Sequence, residues 1–272
     1  MIVLPQINPE AFRIGPIAVY WYGLMYGVGF AAALVLGNVR LRRNGMLLRS
    51  DRFRDLMFFT MVGLIVGARL GYMLFYTNFS FFKHPWEIIE VWKGGMSFHG
   101  GLIGVAIAIL IFSRRHDLHL LDVADFVAPL APPGLLAGRT GNFINSELWG
   151  RPSDLPWAMV FPDPAAGYLP RHPSPLYEAL LEGVVLFGVL WLFSEKSRPR
   201  GAVAGLFLLL YGTFRFLVEF TRQPDAQMGF IFFNWVTMGQ MLSLPMAAAG
   251  AWFLICSKGF EKKGEKRGCF FG

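Results

Sequence analysis

Phe126–Ala137 reads Phe-Val-Ala-Pro-Leu-Ala-Pro-Pro-Gly-Leu-Leu-Ala, and Gly138-Arg139-Thr140-Gly141-Asn142-Phe143-Ile144-Asn145-Ser146-Glu147-Leu148-Trp149-Gly150 follows at once. An apolar run gives way to a guanidinium, a carboxylate and two carboxamides. Charge is expensive at membrane depth, so an ionisable cluster at the edge of an apolar run marks a functional site by default. The glycines permit tight turns or the close approach of another group.

Working outward, further apolar runs approach the roughly 20 residues needed to cross a bilayer. They cover Ile17–Val39, Phe53–Tyr76, Phe98–Ser113, Leu120–Ala137, Leu176–Phe193, Gly201–Phe220 and Trp235–Ser257. The third and fourth are short and interrupted, which leaves a re-entrant or broken helix open there. The expectation is an all-α integral membrane protein of about seven transmembrane helices, forming one polytopic domain over residues 1–272. Only 16% of the 272 residues are charged and 54% are hydrophobic, against about 25% charged in a soluble domain. Repeated membrane crossing explains that deficit better than an unusually large soluble core.

The basic residues orient the runs. Arg40, Arg42, Arg43, Arg49, Arg52 and Arg54 occupy one connection, Arg114 and Arg115 another, and Lys196, Arg198 and Arg200 a third. Lys258, Lys262, Lys263, Lys266 and Arg267 follow the last run. The positive-inside rule assigns these connections to the cytoplasm, with the N-terminus outside and a cytoplasmic tail over about 258–272. The opposite connections, Thr77–Ser97, roughly Arg139–Pro175, and Thr221–Asn234, are richer in Pro, Gly and aromatics. The second of them is expected to form a small external cap over about 139–175. Trp86, Trp92, Trp149 and Trp157 suit the water–lipid interface.

A net charge of +7 distributed in this way speaks for topology and against a nucleic-acid-binding face. Cys256 and Cys269 have neither zinc-site nor redox-motif spacing. Pro5, Pro9 and Pro16 interrupt the N-terminal stretch, which therefore does not read as a cleavable signal peptide. His84, His116, His119 and His172 offer no metal pairing, and no cofactor-binding motif is present.

Several polar residues remain for chemistry. Arg69 lies mid-helix among Gly63, Gly67 and Gly71, a small-residue ladder for close helix packing, and needs an anion or carboxylate partner. His99 stands between glycine pairs in Gly94-Gly95-Met96-Ser97-Phe98-His99-Gly100-Gly101. An imidazole there accepts a proton near neutrality, although a lone histidine is more often structural. Tyr211, Arg215, Glu219 and Arg222 fall within roughly 80° of one another on a helix of 100° per residue. The plainer reading of that face is an i,i+4 Arg–Glu pair. Glu178 and Glu182 are available as partner carboxylates, and Asp122 and Asp125 as caps or anchors of the fourth run. Arginine forks match phosphate geometry. Arg69, Arg139 and Arg215 together therefore imply a lipid-phosphate site open to the outer leaflet.

The segment Gly138–Gly150 resembles the prolipoprotein diacylglyceryl transferase family. So do Gly94–Gly101, Arg171-His172-Pro173-Ser174 and Phe220–Asp225, and the likeness runs from Tyr20–Tyr26 to Met238-Gly239-Gln240. The resemblance implies a multi-pass protein of the bacterial cytoplasmic (inner) membrane with its active site facing the periplasm. The implied reaction moves the diacylglyceryl group of phosphatidylglycerol to the lipobox cysteine thiol at the signal peptide of a prolipoprotein. It forms a thioether, releases glycerol phosphate and begins lipoprotein maturation; no cofactor, metal or nucleic acid is implied. Carried over by motif, Tyr22, His99, Arg139, Asn142, Glu147, Gly150, Tyr211, Arg215 and Glu219 fall on the family's functional positions. His99, Arg139, Arg215 and Tyr22 are the catalytic candidates. Arg139, Asn142, Glu147, Gly150, Tyr211, Glu219 and Arg69 are the substrate-binding ones. A non-enzymatic phospholipid flippase or membrane scaffold is the rival reading, since it also needs intramembrane arginines.

Overall fold

The computed structural model describes residues 2–15, 17–43, 48–75, 86, 89, 95–224, 229–233 and 235–262. His84, Trp92, Gly94, Asp225, Lys263, Lys266, Arg267 and Cys269 lie outside them, as do the side chains of His99, Lys258 and Lys262. The helices are α1 (Trp21–Arg43), α2 (Ser50–Phe75), α3 (Phe98–Arg115), α4 (Leu120–Val127), α5 (Ala131–Ile144), α6 (Ser174–Glu178), α7 (Leu186–Phe193), α8 (Ala202–Val218) and α9 (Met238–Lys262). Among the described residues, five helical segments are long and apolar enough to cross a membrane: Trp21–Arg42, Ser50–Leu74, Leu120–Ile144, Ser174–Phe193 and Met238–Ser257. The shorter apolar helix Ala202–Val218 adds to them, so the protein is mostly helical with several candidate membrane spans.

Two expected runs take different boundaries. Ile17–Tyr20 is strand β3, paired antiparallel with β2 (Glu10–Ile14), and α1 begins only at Trp21. β-Branched and aromatic residues at Ile17, Val19 and Tyr20 favour the pleated conformation, and Gly15 turns the hairpin at φ +58°. The fourth run is one helical segment, Leu120–Ile144, that tightens to a 3-10 turn at Ala128–Leu130 between α4 and α5 and does not break. Pro129 lacks the N–H that the ladder needs there. The helix then continues to Ile144, so Arg139 and Asn142 sit on α5 and not in the connection after it.

The chain divides into two compact units, residues 37–124 and residues 1–36 with 125–272. In the first, α2 and α3 pack through facing glycines. A Cβ placed on Gly71 would stand 2.7 Å from Gly100 Cα, and one on Gly104 2.9 Å from Gly67 Cα. Ser97 caps α3, its hydroxyl accepting from the Gly100 N–H at 3.2 Å. Replacing Gly104 by Leu should force the helices apart and cost about 3 kcal/mol, the upper end for overpacking. Thermal unfolding in detergent measures this, with Gly188→Leu as control because a Cβ at Gly188 meets nothing within 4 Å. Equal losses in Tm for both variants would contradict the packing account.

In the second unit, α8 and α9 approach closely at Gly212, where an added Cβ would stand 2.8 Å from the Ser243 carbonyl oxygen. Leu186, Leu190, Val203, Tyr211 and Ala128 form a buried core beside them. Asp125, expected to anchor the fourth run, instead caps α8. Its carboxylate accepts from the N–H groups of Gly201 at 2.7 Å and Ala204 at 2.8 Å. Unsatisfied amides and a positive dipole end at a helix N-terminus attract that carboxylate across the fold. In the connection between α5 and α6, β4 (Met159–Val160) and β5 (Pro170–Arg171) form a small sheet with β1 (Ile2–Val3) from the N-terminal stretch. Leu4, Phe161 and Ala166 fill its buried side, with Trp149 and Phe143 packed against them.

Candidate active site

Three helices converge on one charged cluster in the second unit. α5 contributes Arg139, whose Nε lies 2.6 Å from Glu178 Oε2 and whose Nη2 lies 3.4 Å from Glu182 Oε2. α8 contributes Arg215, whose Nη1 stands 3.1 Å from Glu178 Oε1 and 3.9 Å from Glu182 Oε1. Its Nη2 meets Glu219 Oε2 at 3.0 Å, the i,i+4 pair that the helix spacing suggested. Arg222 adds a third guanidinium, 3.8 Å from Glu178 Oε1. The side chains of Glu178 and Glu182 are 0% exposed, and those of Arg139 and Arg215 are 15% and 14% exposed. Isolated charges so deeply buried are strongly unfavourable, and pairing is what makes the arrangement tenable. Three arginines face three glutamates, so the cluster is neutral in formal charge.

Glu178 ends α6, and Glu182 lies in the π-helical segment Ala179–Val185 that follows. π-Helical turns are rare and are frequent at functional sites. Glu219 is held in turn by Thr237, whose hydroxyl donates to Oε1 at 3.0 Å. Gly239, in the first turn of α9, lets that helix approach: a Cβ there would stand 2.7 Å from Glu219 Cδ.

Beyond α5, hydrogen bonds hold the rest of the opening motif to neighbouring segments. Glu147 accepts from the Asn142 amide at 3.3 Å and from the Asn145 amide at 3.2 Å. The Gly150 N–H donates to the His172 carbonyl at 2.9 Å, and a Cβ on Gly150 would stand 2.6 Å from His172 Cβ. Arg151 Nε donates to the Arg222 carbonyl at 2.9 Å, and Arg171 Nη1 donates to the Gly150 carbonyl at 3.1 Å. These bonds tie the 145–172 connection to the end of α8. Burial, and then the Arg151 charge, lower the His172 pKa, which keeps that imidazole neutral at neutral pH.

The structure thus brings Arg139, Arg215 and Glu219 together, with Asn142 and Glu147 paired just beyond Arg139. Tyr211 is buried one turn before Arg215, its ring stacked on Phe207 at 5.8 Å. Tyr22 packs on α5, where a Cβ added to Gly141 would lie 3.2 Å from its ring, and its hydroxyl is 3.3 Å from that of Tyr26. Arg69 and His99 belong to the other unit. Arg69 is buried, with Nη1 donating to the Gly95 carbonyl at 3.1 Å and its guanidinium 5.8 Å from the Tyr72 ring centroid. The carbonyl and the ring are contacts that its sequence context did not suggest. His99 lies in the first turn of α3. The sequence offered Glu178 and Glu182 as partner carboxylates, which they are, and put Arg222 on the Tyr211–Glu219 face, but none of the three was among the catalytic or substrate-binding candidates. Their signal was present, since carboxylates inside an apolar run and an arginine on the Tyr211–Glu219 face are both costly without partners.

Apolar helices long enough to cross a bilayer, enclosing a neutral arginine–glutamate cluster, define a helical membrane protein with a polar site among its helices. Residues 9–256 match the family model of prolipoprotein diacylglyceryl transferase. The chain is 58% identical over 254 residues to the phosphatidylglycerol–prolipoprotein diacylglyceryl transferase of Coxiella burnetii, covering 93% of this chain and 97% of that protein. It is 54% identical to the protein of the same name from Solidesulfovibrio magneticus, with 93% and 96% coverage. Identity to the Pseudomonas aeruginosa protein of that name is 53%, with 94% and 95% coverage. The chain belongs to the prolipoprotein diacylglyceryl transferase family.

Proposed function

We propose that this protein transfers the diacylglyceryl group of phosphatidylglycerol to the lipobox cysteine of a prolipoprotein signal peptide. It is a transferase by family membership. The observation that carries the site reading is the convergence of Arg139 and Arg215, from different helices, on one buried place. Two guanidinium forks side by side suit a phosphate, which offers several acceptor oxygens to planar donors. The protein works in the bacterial inner membrane as seven spans, with its N-terminus and active site on the periplasmic side and its C-terminus in the cytoplasm. The 145–172 connection forms the periplasmic cap.

In the reaction the cysteine thiol gives its proton to a base, and the sulfur attacks the glyceryl carbon that bears the phosphate. A C–S bond forms as the C–O bond breaks, and the electron pair stays with the phosphate oxygen of departing glycerol phosphate. The thiolate is the competent nucleophile, with an ordinary cysteine pKa near 8.5, so a base assists. His99 takes that role on its residue chemistry. Arg139 and Arg215 stabilise charge that develops on the leaving phosphate. Asn142, Glu147, Gly150, Tyr211, Glu219 and Tyr22 shape the substrate's surroundings, and Arg69 is a further contact for lipid. Purified full-length protein should convert a lipobox peptide to a thioether-linked diacylglyceryl product with phosphatidylglycerol, read by mass spectrometry. Lipid movement without that product would instead identify a flippase.

A further inference from the structure

Glu178 and Glu182 are four residues apart, fully buried, and directed at the same two guanidiniums. Their spacing along the helix explains how. Residues four apart on a helix are already neighbours on one face, and the i→i+5 bonding of Ala179–Val185 keeps them so. The two carboxylates therefore stack on one face toward the arginine pair. Their grips differ: Glu178 holds Arg139 and Arg215 at 2.6 and 3.1 Å, whereas Glu182 reaches them at 3.4 and 3.9 Å. Among the described residues, neither Glu178 oxygen nor Glu182 Oε1 has an aligned hydrogen-bond donor, and Glu182 Oε2 accepts from Arg139 Nη2 at 3.4 Å, so distance is what separates the two grips. Because the cluster is neutral, an arriving phosphate adds net negative charge to it, and close like charges oppose one another strongly at low dielectric.

We propose that Glu182 is a displaceable positioning residue. Before lipid binds it occupies, as an internal anion, the place in the arginine pair that a phosphate takes, while Glu178 stays and keeps Arg139 and Arg215 aligned. This deepens the reading of Arg139 and Arg215 as phosphate ligands and rests on it. It also gives the site a means of release, because the returning Glu182 carboxylate competes with product glycerol phosphate.

The test uses full-length protein in detergent–lipid micelles. Glu182→Gln keeps the shape and removes the competing charge. The Kd for phosphatidylglycerol should fall about tenfold, as expected when a competing charge-assisted contact is lost. Binding of diacylglycerol, which has no phosphate, should stay unchanged, and kcat should fall because product leaves more slowly. Glu178→Gln should raise KM. A merely structural glutamate would lower Tm without tightening anionic lipid binding. Should Glu182→Gln fail to fold, Glu182→Asp, which keeps the charge and withdraws it, should shift Kd the same way by a smaller factor. Unchanged or weakened phosphatidylglycerol binding in whichever variant folds overturns the proposal. A wild-type protein that binds phosphatidylglycerol but makes no thioether overturns the transferase reading alone, and the Kd comparison still decides the role of Glu182.

Discussion

Arg139→Ala should lower diacylglyceryl transfer by about 10²–10³-fold, the loss seen when one preorganised donor to a developing anion is removed. The structure adds a second consequence. Arg139 is a close partner of Glu178, whose side chain is 0% exposed. Breaking a buried ion pair by removing one member costs about 3–5 kcal/mol, so the alanine variant should lose stability as well as activity. Arg139→Lys separates the two effects, because it retains the charge opposite Glu178 but not the planar fork that grips a phosphate. Its Tm should stay near that of the wild type while turnover remains low. Near-normal turnover of the lysine variant, measured by thioether formation at saturating phosphatidylglycerol, would remove Arg139 from the catalytic machinery.

His99→Gln should lower turnover by about 10²–10⁴-fold, the range for a lost general base. Glutamine keeps much of the size and polarity but is a poor proton acceptor. The pH profile carries the sharper signal. A base accepts a proton only in its neutral form, so the wild-type rate should fall as acid protonates it. The glutamine variant should lose that limb, leaving a slow rate with little dependence on pH below neutrality. A variant that keeps both the rate and the acid limb would return His99 to a structural role in the first turn of α3.

The helical character of the protein was legible because apolar runs of membrane length have few other physical solutions. The i,i+4 pairing of Arg215 with Glu219 was legible too, since helix periodicity alone brings those residues together. Boundaries were less so. Ile17–Tyr20 is as apolar as the helix that follows, and hydropathy cannot distinguish a strand in a hairpin from the first turn of a span. Arg139 looked like the start of a connection because it is charged, yet a buried carboxylate partner lets α5 carry it.

The motif Gly138–Gly150, together with Gly94–Gly101, Arg171–Ser174 and Phe220–Asp225, carried the family resemblance, and the sequence supplied the polar residue types available for chemistry. Burial cost then made functional candidates of its ionisable members, whatever the fold. Only the tertiary structure decided that Arg139 and Arg215 meet through Glu178, that Glu182 stands on the same face across a π-helical turn, and that Asp125 caps a distant helix. Those partners come from segments dozens of residues apart. A charge in a sequence states the need for a counter-charge, and only packing decides which one meets it.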